Sequence, residues 1–140
     1  MEELRTGGIP ALGRLLMAFI FVTSGWGKLL APEGTIAYLT HLGVPLPELI
    51  YPLVVALELG GGLCVLFGFG TRGVSAILAV YCVATAFLAH YVPGDVGMMI
   101  HFAKNICMAG GFLQLVAYDA GAWSVDALRG RRRVAALAAE

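Results

Sequence analysis

Charge is what this sequence has least of: only 13% of its 140 residues are charged, 59% are apolar, and the mean hydropathy is +0.85. Soluble domains carry about 45 to 50% apolar residues, so a soluble core this small could not hide the excess and a water-soluble globule is excluded. Net charge is missing too. Nine basic residues balance nine acidic ones, which leaves no electrostatic footprint for nucleic acid, and no nucleic-acid partner is expected. Cys64, Cys82 and Cys107 are far apart in apolar runs with no C-x-x-C pair. That excludes a disulfide framework and a thiol-exchange motif, and the thiols read as small buried side chains. The first apolar run, Ile9 to Leu30, is longer than the core of a secretory signal and no A-x-A site follows it, so it is expected to stay as an anchor. Phosphate loops, nucleophile elbows and zincin helices are all lacking.

What is present is apolar length. About 20 apolar residues cross about 30 Å of hydrocarbon at about 1.5 Å per residue. Four runs qualify, at approximately 9–30, 49–69, 72–92 and 98–118. They predict an all-α fold, an integral membrane four-helix bundle forming a single transmembrane domain over 1–140. The short connections at Gly68-Phe69-Gly70-Thr71 and Pro93-Gly94-Asp95 force spans two, three and four to run antiparallel and adjacent. In the first connection, residues 32–39 are amphipathic and fit either a short helix lying on the outer surface or an irregular loop.

Orientation follows from Lys and Arg, which are retained on the cytoplasmic side. Arg5, Arg72 and the group Arg129, Arg131, Arg132 and Arg133 fall at the N-terminus, the second loop and the C-terminus. Residues 31–48 and 93–97 have no Lys or Arg and carry Glu33, Glu48 and Asp95. Both termini are therefore expected in the cytoplasm. The basic tail, 127–140, reads first as a device that fixes this topology and second as an attractor of anionic lipid or a partner.

A charge at membrane depth costs at least about 2.5 to 3.5 kcal/mol, so each one calls for a partner. Arg14, Lys28, Glu58 and Lys104 lie within the spans, with His90 and His101 near the outer surface. On the first span Arg14, Ala18, Phe21, Gly25 and Lys28 share one stripe; on the fourth, His101, Lys104, Cys107 and Gly111 do, with Asn105 beside the lysine. Glu58 is the only acid inside a span, and Gly60, Gly61 and Gly62 after it let another helix approach closely. Counting from the outer helix ends places Lys104 roughly 9 Å deep, Glu58 roughly 14 Å, Lys28 roughly 3 Å and Arg14 roughly 24 Å. The expected partner of Glu58 is therefore Lys104, then Arg14, while Lys28 is free to snorkel to water. These charges either fix helix register or line an outward-opening pocket for a polar headgroup such as a quinone, or a proton path. The histidines have no H-x-x-x-H spacing, so no metal site is assigned and they read as interfacial residues.

The stretches Leu12-Gly13-Arg14-Leu15-Leu16 and Ser24-Gly25-Trp26-Gly27-Lys28-Leu29 resemble the opening of the DoxX family. So do Leu57-Glu58-Leu59-Gly60-Gly61-Gly62, Gly68-Phe69-Gly70-Thr71-Arg72, and Lys104-Asn105 followed by Gly110-Gly111, in the family's order. The resemblance implies a small four-helix protein of the inner membrane, with recurrent charged positions at Arg14, Lys28, Glu58, Arg72 and Lys104 with Asn105. It also implies a redox association, since relatives include a membrane subunit of thiosulfate-to-quinone electron transfer and a membrane partner of a superoxide dismutase and a sulfurtransferase.

The sequence thus leads to a DoxX-like membrane subunit of a redox-linked, quinone-interacting complex. If it takes part in catalysis, it does so as a component of a quinone-linked oxidoreductase rather than as a stand-alone enzyme. Glu58 and Lys104 are the expected catalytic pair, and Arg14, Lys28, Asn105, His101 and His90 the pocket; quinone is the one candidate cofactor. The expected partners are the lipid bilayer and other membrane or soluble redox proteins, with a homo-oligomer left open. A noncatalytic scaffold for a soluble redox partner is the alternative, and a small-solute or proton transporter the third.

Overall fold

The computed structural model describes residues 1–138. Four helices are long and apolar enough to cross a membrane: α1 (Leu4–Leu30), α3 (Pro47–Phe67), α4 (Thr71–His90) and α5 (Val96–Tyr118). Two shorter ones accompany them, α2 (Pro32–His41) and α6 (Val125–Leu137). Within these residues the fold is entirely helical, as lipid demands, because a helix satisfies its backbone hydrogen bonds internally. Residues 32–39 belong to a helix rather than an irregular loop, and α2 packs against α1 and α3. The basic tail forms most of α6, and its last two residues lie outside the described ones.

The span-two to span-three turn is made by glycine. Gly68 and Gly70 have φ of 67° and 56°, and the Phe69 N–H donates back to the Cys64 carbonyl at 2.8 Å, closing the end of α3. At the other end of the bundle Asp95 caps α5, its carboxylate accepting from the Met98 N–H at 3.0 Å. Inside, Phe21 meets Phe112 edge to face with ring centroids 5.2 Å apart, among Ala18, Val65, Leu78, Cys82, Ala109 and Leu115. Outward-facing Leu16, Phe19, Val80 and Leu113 are more than half exposed, which suits a surface bathed in acyl chains.

The tightest crossing is α1 on α3. A methyl group on Gly25 would lie 2.5 Å from the backbone nitrogen of Leu59, and one on Gly62 would meet Phe21 and Val22 at 3.0–3.1 Å. Of the three consecutive glycines, Gly62 faces α1, Gly61 faces Leu78 of α4, and Gly60 has open space over it.

The N-terminal residues, the segment 119–126 and the α3–α4 turn gather at one end of the bundle, here the terminal end; α2 and the 91–95 turn mark the loop end. The Ala122 N–H donates to the Thr6 carbonyl at 2.7 Å, and the Asp126 N–H donates to that of Gly68 at 2.9 Å. Asp126 also caps α4 from outside its own chain segment. Its carboxylate accepts from the N–H groups of Gly70 and Thr71 at 2.9 and 2.8 Å and from the Thr71 hydroxyl at 2.8 Å. Burial opposes ionisation of this carboxyl, but those three donors, helped by Arg129, outweigh it and hold it below the usual carboxylate range. A depressed folded value means that the stabilisation is complete above the unfolded pKa of about 3.9 and is lost as pH falls through the folded value. Asp126→Asn is therefore expected to lower the melting temperature of the detergent-solubilised protein at pH 7, at a cost of about 1 to 2 kcal/mol. The gap from the wild type should narrow below about pH 4; a gap unchanged down to pH 3 would contradict the assignment.

Candidate functional site

A cavity of about 500 Å3 opens inside the bundle toward the loop end, within the usual size range of small-molecule pockets. Its walls are mostly apolar, from Ile20, Leu39, Ile50, Val54, Leu88 and Met108. Its floor is Phe21, which starts the apolar core between the cavity and the terminal end.

Three helices bring one charge cluster to the wall. The Lys28 ammonium of α1 lies 2.7 Å from Glu58 Oε2 of α3, and the Tyr81 hydroxyl of α4 donates to Glu58 Oε1 at 2.5 Å. Lys28 also donates to the Ser24 hydroxyl one turn below it, at 2.6 Å. The glycine crossing explains the placement, because Gly25 seats against Leu59, and one turn further Lys28 stands beside Glu58. Glu58 is 6% exposed, so its charge is supported by these two partners rather than by bulk water.

A second polar group lies one turn along α4. The Thr85 hydroxyl lies 3.2 Å from Asn105 Oδ1 of α5, its single proton shared with the nearer Tyr81 carbonyl at 2.9 Å, and the Asn105 amide donates to the His101 carbonyl at 3.0 Å. His90 and His101 stack near the mouth with ring centroids 5.4 Å apart, and His90 Nδ1 is buried without a hydrogen-bond partner among the described residues. Phe87, Tyr91 and Phe102 pack together at this end of α4 and α5. No group of three or more His, Cys, Asp and Glu residues placed to hold a metal occurs among the described residues.

Of the three π-helical turns among the described residues, Leu4–Gly8 lies at the terminal end and the other two lie at the cavity. Both Glu58 and His90 sit on π-helical turns, Ala56–Gly60 and Ala86–His90, where the wider turn re-aims side chains within an otherwise regular span. Such turns are frequent at functional sites.

The structure brings Lys28, Glu58, Asn105, His90 and His101 to one cavity, and it leaves Lys104 and Arg14 outside it. The expected pairing of Glu58 with Lys104 is not formed. On α5 the inward stripe is Asn105, Met108, Phe112 and Leu115, whereas Lys104 and Cys107 are exposed. One residue of helical phase, about 100°, separates Lys104 from Asn105. Arg14 does not reach Glu58 either. It is 2% exposed at the terminal end, where its guanidinium donates to the carbonyls of Val65 and Leu66 at 3.3 and 2.7 Å and to that of Trp123. It satisfies the orphan carbonyls that end α3, a favourable place for a cation. Depth counted from the helix ends misplaces Lys28 because α1 and α3 do not end at a common level: α1 ends at Leu30, just past Lys28, while α3 begins at Pro47, about three turns before Glu58.

Tyr81, Ser24 and Thr85 are site residues that a search for charges passes over. The available signal was a tyrosine in the middle of an apolar span, since a buried phenol normally finds a hydrogen-bond partner.

Comparison with known proteins agrees with this architecture. The sequence pattern of the DoxX family matches residues 9–91. "Inner membrane protein YqjF" of Escherichia coli (strain K12) is 39% identical over 132 residues, 94% of this chain and 99% of that protein. "Inner membrane protein YphA" of the same organism is 34% identical over 120 residues, 82% of this chain and 86% of that protein. "Putative oxidoreductase CatD" of Bacillus subtilis (strain 168) is 36% identical over 67 residues, 48% of each chain. No solved structure matches the chain.

Proposed function

This chain belongs to the DoxX family of multi-pass inner-membrane proteins, and from that premise we propose that it binds a quinone headgroup as the membrane component of a redox-linked system. The observation that carries the reading is the Lys28–Glu58–Tyr81 cluster on the wall of an apolar cavity inside a transmembrane bundle. A quinone ring is flat and apolar with two opposed carbonyls that need donors. Lys28 uses two of its three protons on Glu58 and Ser24, and the third is available to one carbonyl. Asn105 uses one amide proton on the His101 carbonyl, and the other is available to the second carbonyl. Tyr81, which donates to Glu58, and Thr85, beside Asn105, are one helical turn apart on α4, a rise of about 6 Å.

Phe21, Phe112, Val65 and Leu78 form an apolar layer beneath the cavity, which suits retention of an apolar ring. With the arginine-rich terminal end in the cytoplasm, the cavity opens into the outer half of the membrane. An oxidoreductase name on one partial relative supports a redox context.

The test is thermal unfolding of the protein in lipid nanodiscs, titrated with the tail-less ring 2,3-dimethoxy-5-methyl-1,4-benzoquinone. Binding to the folded state should raise the melting temperature, with about 2.7 kcal/mol of stabilisation at one hundred times Kd. Glu58→Gln and Tyr81→Phe should each weaken apparent affinity about tenfold, the effect of roughly 1.4 kcal/mol of lost positioning. No shift in the wild type, together with reproducible copurification of a soluble protein, would instead support a scaffold.

A further inference from the structure

Beyond the first and last turns of the four spans, three exposed side chains among the described residues carry a charge, an imidazole or an amide, and all are on α5: His101, Lys104 and Gln114. The outward surface of the other spans is large and apolar, with Leu16 and Phe19 on α1, Leu53 and Leu63 on α3, and Ile77 and Val80 on α4. Lys104 is eight residues past Val96, about 12 Å from the loop end of α5, so a snorkelling stem shortens the distance to water without closing it. Neither ion pair among the described residues includes it. Exposed Cys107, Gly110 and Gln114 share its face, all four within about 120° around the helix. Of the two adjacent glycines, Gly111 packs against Met17 of α1, whereas Gly110 has open space where a Cβ would stand. Packing inside the bundle therefore explains the second glycine and not the first.

We propose that this face of α5 seats a transmembrane helix of another protein, one that carries an Asp or Glu near the level of Lys104. An ionisable group at membrane depth is normally covered by protein and paired. The other charges inside the spans follow that rule, Arg14 on the carbonyls that end α3 and Lys28 with Glu58 on each other. Lys104 needs a carboxylate from outside the chain. A second copy of this protein does not bring one, because Glu58 is its one acid inside a span beyond the end turns, and that acid is buried against Lys28 and Tyr81. A second copy seated on the same face would instead bring another lysine to the same level. A lipid phosphate stays at the surface, about two helical turns away. Gly110 suits a helix as the occupant, since the missing side chain lets a second backbone come close, and Gln114 offers that helix an amide nearly three turns from Lys104. The inference is independent of the quinone reading, because Lys104 and Gln114 do not line the cavity.

The probe is a synthetic leucine–alanine transmembrane helix of 23 residues, the length of α5, with Glu, Leu or Lys as its central residue. Its centre falls about 5 Å from the level of Lys104 whichever way the peptide inserts, within reach of a lysine stem. Association is read in lipid vesicles as energy transfer from a dye at the protein's N-terminus to one on the peptide. The Glu peptide should bind about tenfold more tightly than the Leu peptide, and the Lys peptide no more tightly than the Leu peptide. Lys104→Met should abolish the preference, and Lys104→Arg should keep it. Gly110→Leu leaves the lysine in place but fills the open space beside it, and should weaken the Glu peptide about tenfold. Gly13→Leu, over open space on α1, should bind like the wild type. All these substitutions are at exposed positions or over open space, except that of Gly110 and Gly13 none alters a glycine, and an unchanged melting temperature in the same vesicles checks that the fold is kept. Equal binding of the Glu and Leu peptides by the wild type would overturn the proposal. So would a preference that is lost in Lys104→Met but untouched by Gly110→Leu, which is the behaviour of a stray charge rather than of a docking face. Energy transfer between donor-labelled and acceptor-labelled copies of the protein without peptide, lost in Gly110→Leu, would overturn it in favour of a second copy as the occupant.

Discussion

Gly25→Ala is expected to be strongly damaging, because the added methyl group meets the backbone of a neighbouring helix. Its Cβ would lie 2.5 Å from the backbone nitrogen of Leu59 and 2.9 Å from the Leu59 Cα, so no side-chain rotation relieves the overlap and α1 and α3 must separate. Membrane helices associate through close packing rather than through escape from water, so a crossing opened along its length loses the interaction that made it. A cost of about 3 kcal/mol, the upper end of ordinary overpacking, is expected in reversible unfolding from mixed detergent micelles. Gly13→Ala, added over open space, should be neutral or slightly stabilising. Because Gly25 sets Lys28 beside Glu58, the variant should also lose quinone affinity even where it remains folded. Equal stability of the two alanine variants would show that the crossing is not the constraint described.

The same crossing shows which parts of the structure were legible in the sequence. Length and hydropathy alone give the four spans, since about 20 apolar residues have few alternatives. The stripe Arg14, Ala18, Phe21, Gly25 was also legible, and these four are the buried residues of the regular part of α1. Facing partners were not. A helix constrains which of its own residues share a face, but it carries no information on how far a neighbour has slid along its axis. The sequence therefore places Lys28 in the pocket or free to snorkel but does not pair it with Glu58, which α3 brings level with it. On α5 the phase was lost for a related reason: His101 starts both the expected stripe with Lys104 and the observed one with Asn105, and apolar residues on every side gave no contrast to separate them. Tyr81 was overlooked because it carries no formal charge, although its hydroxyl is one of the two groups that hold Glu58. The π turns at Ala56–Gly60 and Ala86–His90 have no recognised sequence signature here, and they shift the phase of the residues beyond them.

Whether the Lys28–Glu58 pair serves architecture or ligand binding can be decided by removing it in two ways. Lys28→Met leaves a carboxylate that is 8% exposed with Tyr81 as its remaining partner, and breaking a buried pair in this way costs about 3 to 5 kcal/mol. The low end, about 3 kcal/mol, applies here because the Lys28 side chain is 28% exposed. Glu58→Leu should be at least as costly, since it strands the lysine and also takes the acceptor from the Tyr81 hydroxyl. The double variant Lys28→Met with Glu58→Leu leaves neither charge unpaired, and should be more stable than the sum of the single losses implies by about 2 kcal/mol. Strict additivity in unfolding measurements would mean that the two groups do not interact as placed. Stability and binding should then part company: the double variant regains folding without regaining the quinone-induced melting shift, because the donor to the ring carbonyl is gone. A double variant that is stable and still binds quinone like the wild type would show the charges to be register devices of the bundle. The combination of restored stability with absent binding is what a pair built for a ligand requires.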